Sequence, residues 1–342
     1  DGIEITRQSV NRLEILEKQI DESVFSSYDI CQEDRHSIEV ELGDESVGDE
    51  IECDNEASDS GDDAIETAES EFITTLAVLT KQWLSYSIGI VLGRFLPGTE
   101  NALGRGDFSP EVAKQLRDIA DSGGVLVLDA GHPHDLAAKV HQALNLMLGE
   151  KDARDCIFEA TGGDGDLEDE LRRYFSGDFF KEHLQKYRKR PVYWLLQSPK
   201  KTYGVYLFHE RITKDTLYRI RSDQYVGSKL KLLNNRLEGL QRESEGASGR
   251  QLKALQKSIE EGESARDDLQ EFASKIDNLI ALGYDPNIDD GVLINMAPLW
   301  QLIPSWSAEP KKCWDKLVTG DYDWSHMAMH LWPQRVIPKC TG

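Results

Sequence analysis

The sequence is poor in cysteine and lacks the cysteine spacings that build metal sites. Cys31, Cys53, Cys156, Cys313 and Cys340 are odd in number, widely spread and contain no CxxC pair. That excludes a zinc ribbon and a disulfide framework, and a reducing cytoplasm is the expected location. Long apolar runs are missing too. The most apolar windows, 88–96 and 125–128, fall far short of the ~20 residues of a membrane span, so no membrane partner is expected. The opening DGIEITRQSV has neither the basic nor the apolar stretch of a signal peptide, and no initiator Met, which reads as a fragment of something longer.

Common catalytic signatures are absent as well. HExxH, GxSxG and GxxxxGK[ST] do not occur, so a zinc protease, a nucleophile-elbow hydrolase and a P-loop enzyme are not expected. The glycines at 162, 163 and 165 follow no strand and lead into an acidic helix start, where negative side chains suit the helix dipole but repel phosphate. Two histidine pairs remain, His326 with His330 and His132 with His134. Neither has a third ligand in register, and a capping or surface role is the ordinary reading of both. No metal is expected.

What the chain has in excess is acid, and the acid is local. Its formal net charge is −23, yet residues 1–72 hold 24 of the 62 acids and only 4 of the 39 bases. The rest of the chain is close to neutral. Residues 39–71 combine dense like charge with few large apolar side chains, a composition that cannot bury enough surface to offset chain entropy. They read as a disordered acidic linker, the alternative being an acidic mimic that fills a basic cleft.

Periodicity predicts a mainly helical α+β fold with a small β-hairpin or sheet and a long antiparallel helical hairpin. In residues 1–38, Val10, Leu13, Leu16 and Ile20 mark a short amphipathic helix, expected to pack on an upstream region. Residues 72–213 form a mixed α/β region. It opens with a helix over 72–96 that Pro97-Gly98 stops, followed by a second over 110–123 with Pro at its first turn. A buried strand is expected at 125–129, then helices over 134–149 and 167–187. The runs 192–198 and 202–209, rich in aromatic and β-branched residues around Pro-Lys-Lys, read as a β-hairpin. Over 214–283 the apolar residues step by four and three: Val226, Leu230, Leu233, Leu237 and Leu240, then Leu252, Leu255 and Ile259, then Leu269, Phe272, Ile276 and Leu279. Those are the two seams of a helical hairpin. Residues 284–342, broken by prolines at 286, 298, 304 and 310, read as extended segments and turns packed on the body, with a short helix around 323–332.

One segment stands against the acidity. Residues 181–208 carry seven bases and one acid: Lys181, Lys186, Arg188, Lys189, Arg190, Lys200 and Lys201 interleave with Tyr187, Tyr193 and Trp194, and Tyr203 follows. Lys and Arg supply the counterion release that dominates non-specific DNA affinity, and Arg can also read guanine edges. Composition leaves two readings open: a nucleic-acid contact, or a solvated helix face leading into a buried hairpin with Tyr193 and Trp194 in the core.

Three motifs in order, 85-SYSIGIVLGRF-95, 189-KRPVYWLLQSPK-200 and 289-DDGVLIN-295, with a helical hairpin between the last two, resemble the C-terminal part of the BREX/phage-growth-limitation adenine-specific DNA methyltransferases, the PglX family. The related large type II restriction-methylases with a fused specificity region are similar too. The resemblance covers most of 72–340 and leaves the acidic stretch out. It implies a target-recognition portion of a phage-defence or restriction-modification enzyme that moves a methyl group from S-adenosylmethionine to adenine N6. It also implies double-stranded DNA, an upstream methyltransferase domain and other defence-system proteins as partners. The DNA-contacting residues it implies are the basic segment with Tyr203, and Arg211, Arg219 and Arg221 as weaker candidates. The chain has no Pro-Pro dipeptide, so the Asn-Pro-Pro-Tyr motif that grips the flipped base is missing, as is the glycine turn for the methyl donor. No catalytic residue or cofactor is therefore expected within it, and it should be inactive alone. A second reading is a protein-interaction scaffold of the defence complex without DNA contact.

Overall fold

In the computed structural model, residues 75–99 and 108–319 are described, together with eight helical positions between Arg12 and Ser27. The acidic stretch, the expected helix at 323–332 and the pair His326/His330 lie outside the described residues. Two compact units divide the chain, Asp1–Leu79 and Thr80–Gly342. The second holds the sheet and every side chain discussed below.

Helix α1 (Leu76–Val91) buries Leu84, Ile88 and Val91 at spacings of four and three, the apolar stripe of a core-facing helix. It ends at Gly93, whose φ of 79° suits only glycine. Phe95 then folds back over Gly89 so closely that a Cβ there would sit 2.4 Å from its ring. The expected helix over 72–96 is present but shorter: it stops at Val91, before the Pro97-Gly98 expected to end it, because the chain turns at Gly93 and Phe95 closes on Gly89. Helix α2 (Pro110–Ile119) starts on the Ser109 hydroxyl, which accepts from the Val112 amide.

Strands β1 (Val125–Val127), β2 (Tyr193–Gln197) and β3 (Gly204–Phe208) form an antiparallel sheet in the order β1-β3-β2. Every residue of all three is buried, which is why the sequence shows continuous apolar runs and no alternation. Helices α3 (Leu136–Leu148), α4 (Glu150–Thr161), α5 (Leu167–Phe175) and α6 (Asp178–Lys186) share one core with α1 and the sheet. Helix α4 escaped the sequence reading because only Gly149, at φ 82°, separates it from α3. The expected single helix over 167–187 is two: Ser176 and Gly177 break it, turning Phe175, Phe179 and Phe180 inward. A buried ion pair joins α5 to the start of α3, where Arg172 donates from Nε and Nη2 to Asp135 Oδ2 at 3.1 and 2.6 Å.

After the short helix α7 (Thr216–Arg221) come α8 (Val226–Glu245) and α9 (Gly249–Ala281), the expected antiparallel pair. The buried residues of α8 are Val226 and Leu237, and those of α9 all fall between Asp268 and Leu279. The proximal half therefore belongs to the body's core, where Phe272 meets Tyr203. The distal half, roughly 238–265, is an arm whose two helices pack on each other. At ~1.5 Å per residue it is on the order of 20 Å long.

The 284–319 portion of the tail corrects the sequence reading. It is not extended but coils through Ile288–Asp290, α10 (Val292–Met296), Ala297–Leu302 and α11 (Ala308–Thr319). Pro298 and Pro310 stand in the first turns of their helices, where the missing N–H costs nothing. Among the described residues, no helix is long and apolar enough to cross a membrane.

Candidate nucleic-acid interface

The basic segment is built around a turn. Helix α6 ends at Lys186, and the chain reverses through Arg188 and Lys189, whose φ angles are 46° and 62°. Backbone hydrogen bonds Arg188 N to Gln185 O, Lys189 N to Leu184 O and Arg190 N to Tyr187 O close it. His183 anchors the exit into β2: its Nε2 accepts from the amides of Val192 (3.1 Å) and Tyr193 (3.0 Å). Phe179 and Tyr193 stack on the ring. Burial, helped by the Arg94 and Lys186 charges, pushes His183 down to about 3, so it stays neutral and accepting. On the outer side Arg94 donates to the Tyr187 hydroxyl at 2.8 Å and lies over the rings of Phe95, Tyr187 and Tyr193. Arg94 is the cation of the SYSIGIVLGRF motif, which the sequence reading did not connect to the basic segment.

A second basic element is the loop Ser198–Thr202 between β2 and β3, and it is clamped from α9. Asp268 Oδ1 accepts from the Lys200 amide at 2.7 Å, and Oδ2 accepts from the hydroxyls of Ser198 and Thr202. Burial would raise this carboxyl, but those hydrogen bonds outweigh it and hold it below its usual range. No local pattern announces Asp268, which sits beside a seam leucine with its partners about 70 residues away in sequence. Lys200 Nζ donates to Ser264, and Lys201 stands exposed with φ 59°.

The seven bases do not form one patch. The turn precedes β2 and the loop follows it, so the strand alone, at ~3.3 Å per residue, puts roughly 15 Å between them. Among the described residues, no acidic side chain pairs with Lys181, Lys186, Arg188, Arg190 or Lys201, and Lys189 has only Glu309 at 3.9 Å. The remaining candidates have partners or cover of their own. Tyr203 is 3% exposed and belongs to the core. Arg211 donates to the carbonyls of Gly93, Asp121 and Ser122, stapling the end of α1 to the turn before β1. Arg219 pairs with buried Asp121 at 2.9 Å and lies over Tyr225, and Arg221 pairs with Asp277. These three hold the fold together through partners 56 or more residues away in sequence.

Backbone conformation singles out the same segment. Among the described residues, nine glycines adopt positive φ, and the non-glycine residues that do so are Arg188, Lys189 and Lys201. Such a conformation costs a side-chain-bearing residue on the order of 1 kcal/mol or more. Elsewhere glycine takes that role, whereas here three cations are kept at unfavourable positions.

No family model matches the chain. It is similar to two curated proteins: the adenine-specific methyltransferase PglX of Lacticaseibacillus casei (strain Zhang), 29% identical over 227 residues, and the adenine-specific methyltransferase BrxX of Escherichia coli O9:H4 (strain HS), 25% identical over 240 residues. Each match takes in 64% of this chain but only 19% and 20% of the relative. The chain thus spans about a fifth of the length of the curated relatives it matches.

Proposed function

From its relationship to the PglX-type adenine-specific methyltransferases, we propose that this chain is the DNA-recognition portion of an S-adenosylmethionine-dependent N6-adenine DNA methyltransferase of a phage-defence system. The basic turn at 186–190 and the loop at Lys200 and Lys201 contact double-stranded DNA, and a methyltransferase domain elsewhere in the protein carries the chemistry. The observation that supports this most is the retention of Arg188, Lys189 and Lys201 at left-handed positions, Arg188 and Lys201 exposed and Lys189 half-buried, largely without acidic partners among the described residues, on a body close to neutral. Strain of this kind collects where a side chain must be presented in a fixed direction.

The test is salt-dependent duplex binding by the full-length protein. Replacing Arg188, Lys189 and Arg190 together by Ala should weaken binding to every DNA sequence. The dependence of log K on log salt should become shallower by roughly 2 to 3, since each lost phosphate contact removes about 0.9. An unchanged slope would remove the turn from the interface. A milder change separates fold from function. Lys201→Gly relieves the left-handed backbone and should raise thermal stability by up to about 1 kcal/mol, while lowering duplex affinity. If affinity is unaltered, Lys201 does not touch DNA.

The arm favours a second reading, an interaction scaffold, because its distal half buries no side chain in the body's core. Under that reading the triple substitution leaves duplex binding as it was.

A further inference from the structure

The loop joining β2 to β3 is a tight turn with one residue out of character. Ser198 and Pro199 take its first and second positions, where turns favour such residues, and the Lys201 amide closes it on Ser198 O at 2.8 Å. The fourth position favours glycine, yet it holds Lys201 at φ 59°. The two lysines also face different ways. Lys200 is turned back onto α9, its Nζ 2.8 Å from Ser264 Oγ, whereas Lys201 is exposed and has no acidic partner among the described residues.

One carboxylate holds that backbone. Asp268 is 3% exposed, and the cations nearest it on its own helix pair elsewhere, Arg266 with Asp267 and Lys275 with Glu271. The loop supplies its partners instead: the Lys200 amide at 2.7 Å and the hydroxyls of Ser198 and Thr202. Ser198, fully buried, passes the constraint on by accepting from the Tyr203 amide at 3.1 Å. Ser264 and Asp268 stand one helical turn apart on the same face of α9, where the arm leaves the core.

Stability alone does not call for this arrangement. An apolar side chain in place of Asp268 would pack beside Leu269 and Phe272 without desolvating a charge, and such replacements of buried charges are often neutral or favourable. What the carboxylate adds is geometry, because it fixes the residues on both sides of Lys201. We infer that Asp268 is a positioning residue for DNA binding: by holding Lys200 and Thr202 from α9, it presents the Lys201 ammonium in a preset direction. The role rests on the DNA contact proposed above and divides the loop, with Lys200 in the brace and Lys201 at the contact. A flexible lysine loses affinity when binding must order it and its loop, and a preset one avoids that loss.

Duplex binding by the full-length protein across a salt series tests this. Asp268→Asn, close in shape, should weaken binding roughly three- to tenfold, the effect of ordering a loop side chain. The slope of log K against log salt should stay as in wild type, because no phosphate contact is deleted. Lys201→Ala should instead make the slope shallower by about 0.9, and on that background Asp268→Asn should weaken binding no further. Hydrogen exchange of residues 198–203 reports the loop without DNA, and Asp268→Asn should remove its protection. Thr202→Val, at an exposed residue, deletes one hydrogen bond of the brace and should weaken binding in the same way; it carries the test if Asp268→Asn does not fold. Weaker binding at an unchanged slope, coupled to Lys201, supports the role. Loss of protection with full affinity, or an equal effect of Asp268→Asn with and without Lys201, makes the brace structural only and overturns it. Wild-type affinity and slope in Lys201→Ala would remove the loop from the DNA interface, a separate failure that takes this role with it.

Discussion

Arg172→Ala is expected to destabilise the fold by about 3 to 5 kcal/mol, because it strands a buried carboxylate. Asp135 is fully buried at its side chain and Arg172 only 16% exposed. Burial outweighs even the guanidinium and holds the Asp135 carboxyl above its ordinary value. Removing the cation leaves that desolvation uncompensated at the point where the 129–135 loop enters α3, so the damage should spread to the loop that carries His132 and His134. The double change Asp135→Leu with Arg172→Met should cost less than either single change, since well-packed apolar replacements of buried pairs are often neutral. Denaturant unfolding of the four proteins gives the cycle. A double variant as unstable as the sum of the singles would mean that the two residues act independently.

The second large effect is acid lability between pH 6.5 and 3. His183 must be neutral to accept from Val192 and Tyr193, and its folded value near 3 lies below the ~6.5 of an unfolded histidine. The unfolded chain therefore takes up the proton first. The contribution is fully present above pH 6.5 and is lost as pH falls toward 3, with about 2 kcal/mol gone by pH 5 and 4 to 5 kcal/mol in all. Asp268 adds to acid lability in a lower window. Its depressed carboxyl contributes stability above the unfolded value near ~3.9, which is lost as pH falls through the folded value. His183→Leu should flatten the upper window while costing roughly 1 to 3 kcal/mol at neutral pH for the orphaned amides. If stability of the wild type is constant from pH 7 to 5, the histidine is not the anchor described.

How much of this was legible in the sequence depends on the range of the interaction. Helix α1, the β2–β3 hairpin and the α8–α9 pair announced themselves through period and turn chemistry, all local signals. Helix α4 and the break at Gly177 did not, because a single glycine between two helical stretches is compatible with continuation, kink or restart. The prolines of the tail were read as breakers although two of them occupy first turns of helices. Within the basic segment, composition located the turn and the loop. It could not separate Lys201, which has no acidic partner among the described residues, from Arg211, Arg219 and Arg221, which are engaged by partners far away in sequence. Of the supports of the site, His183 and Asp268 carried no local signature, and Arg94 stood in a motif that nothing local tied to the basic segment.

The distal arm has one more consequence. Between Leu237 in α8 and Ser264 in α9 neither helix buries a side chain, so seven residues added to or removed from both at once preserve the seam and leave the core untouched. Reach is thus a dimension that can drift between lineages independently of stability and of the basic turn, in the way the shaft of a tool can change length while its head stays the same.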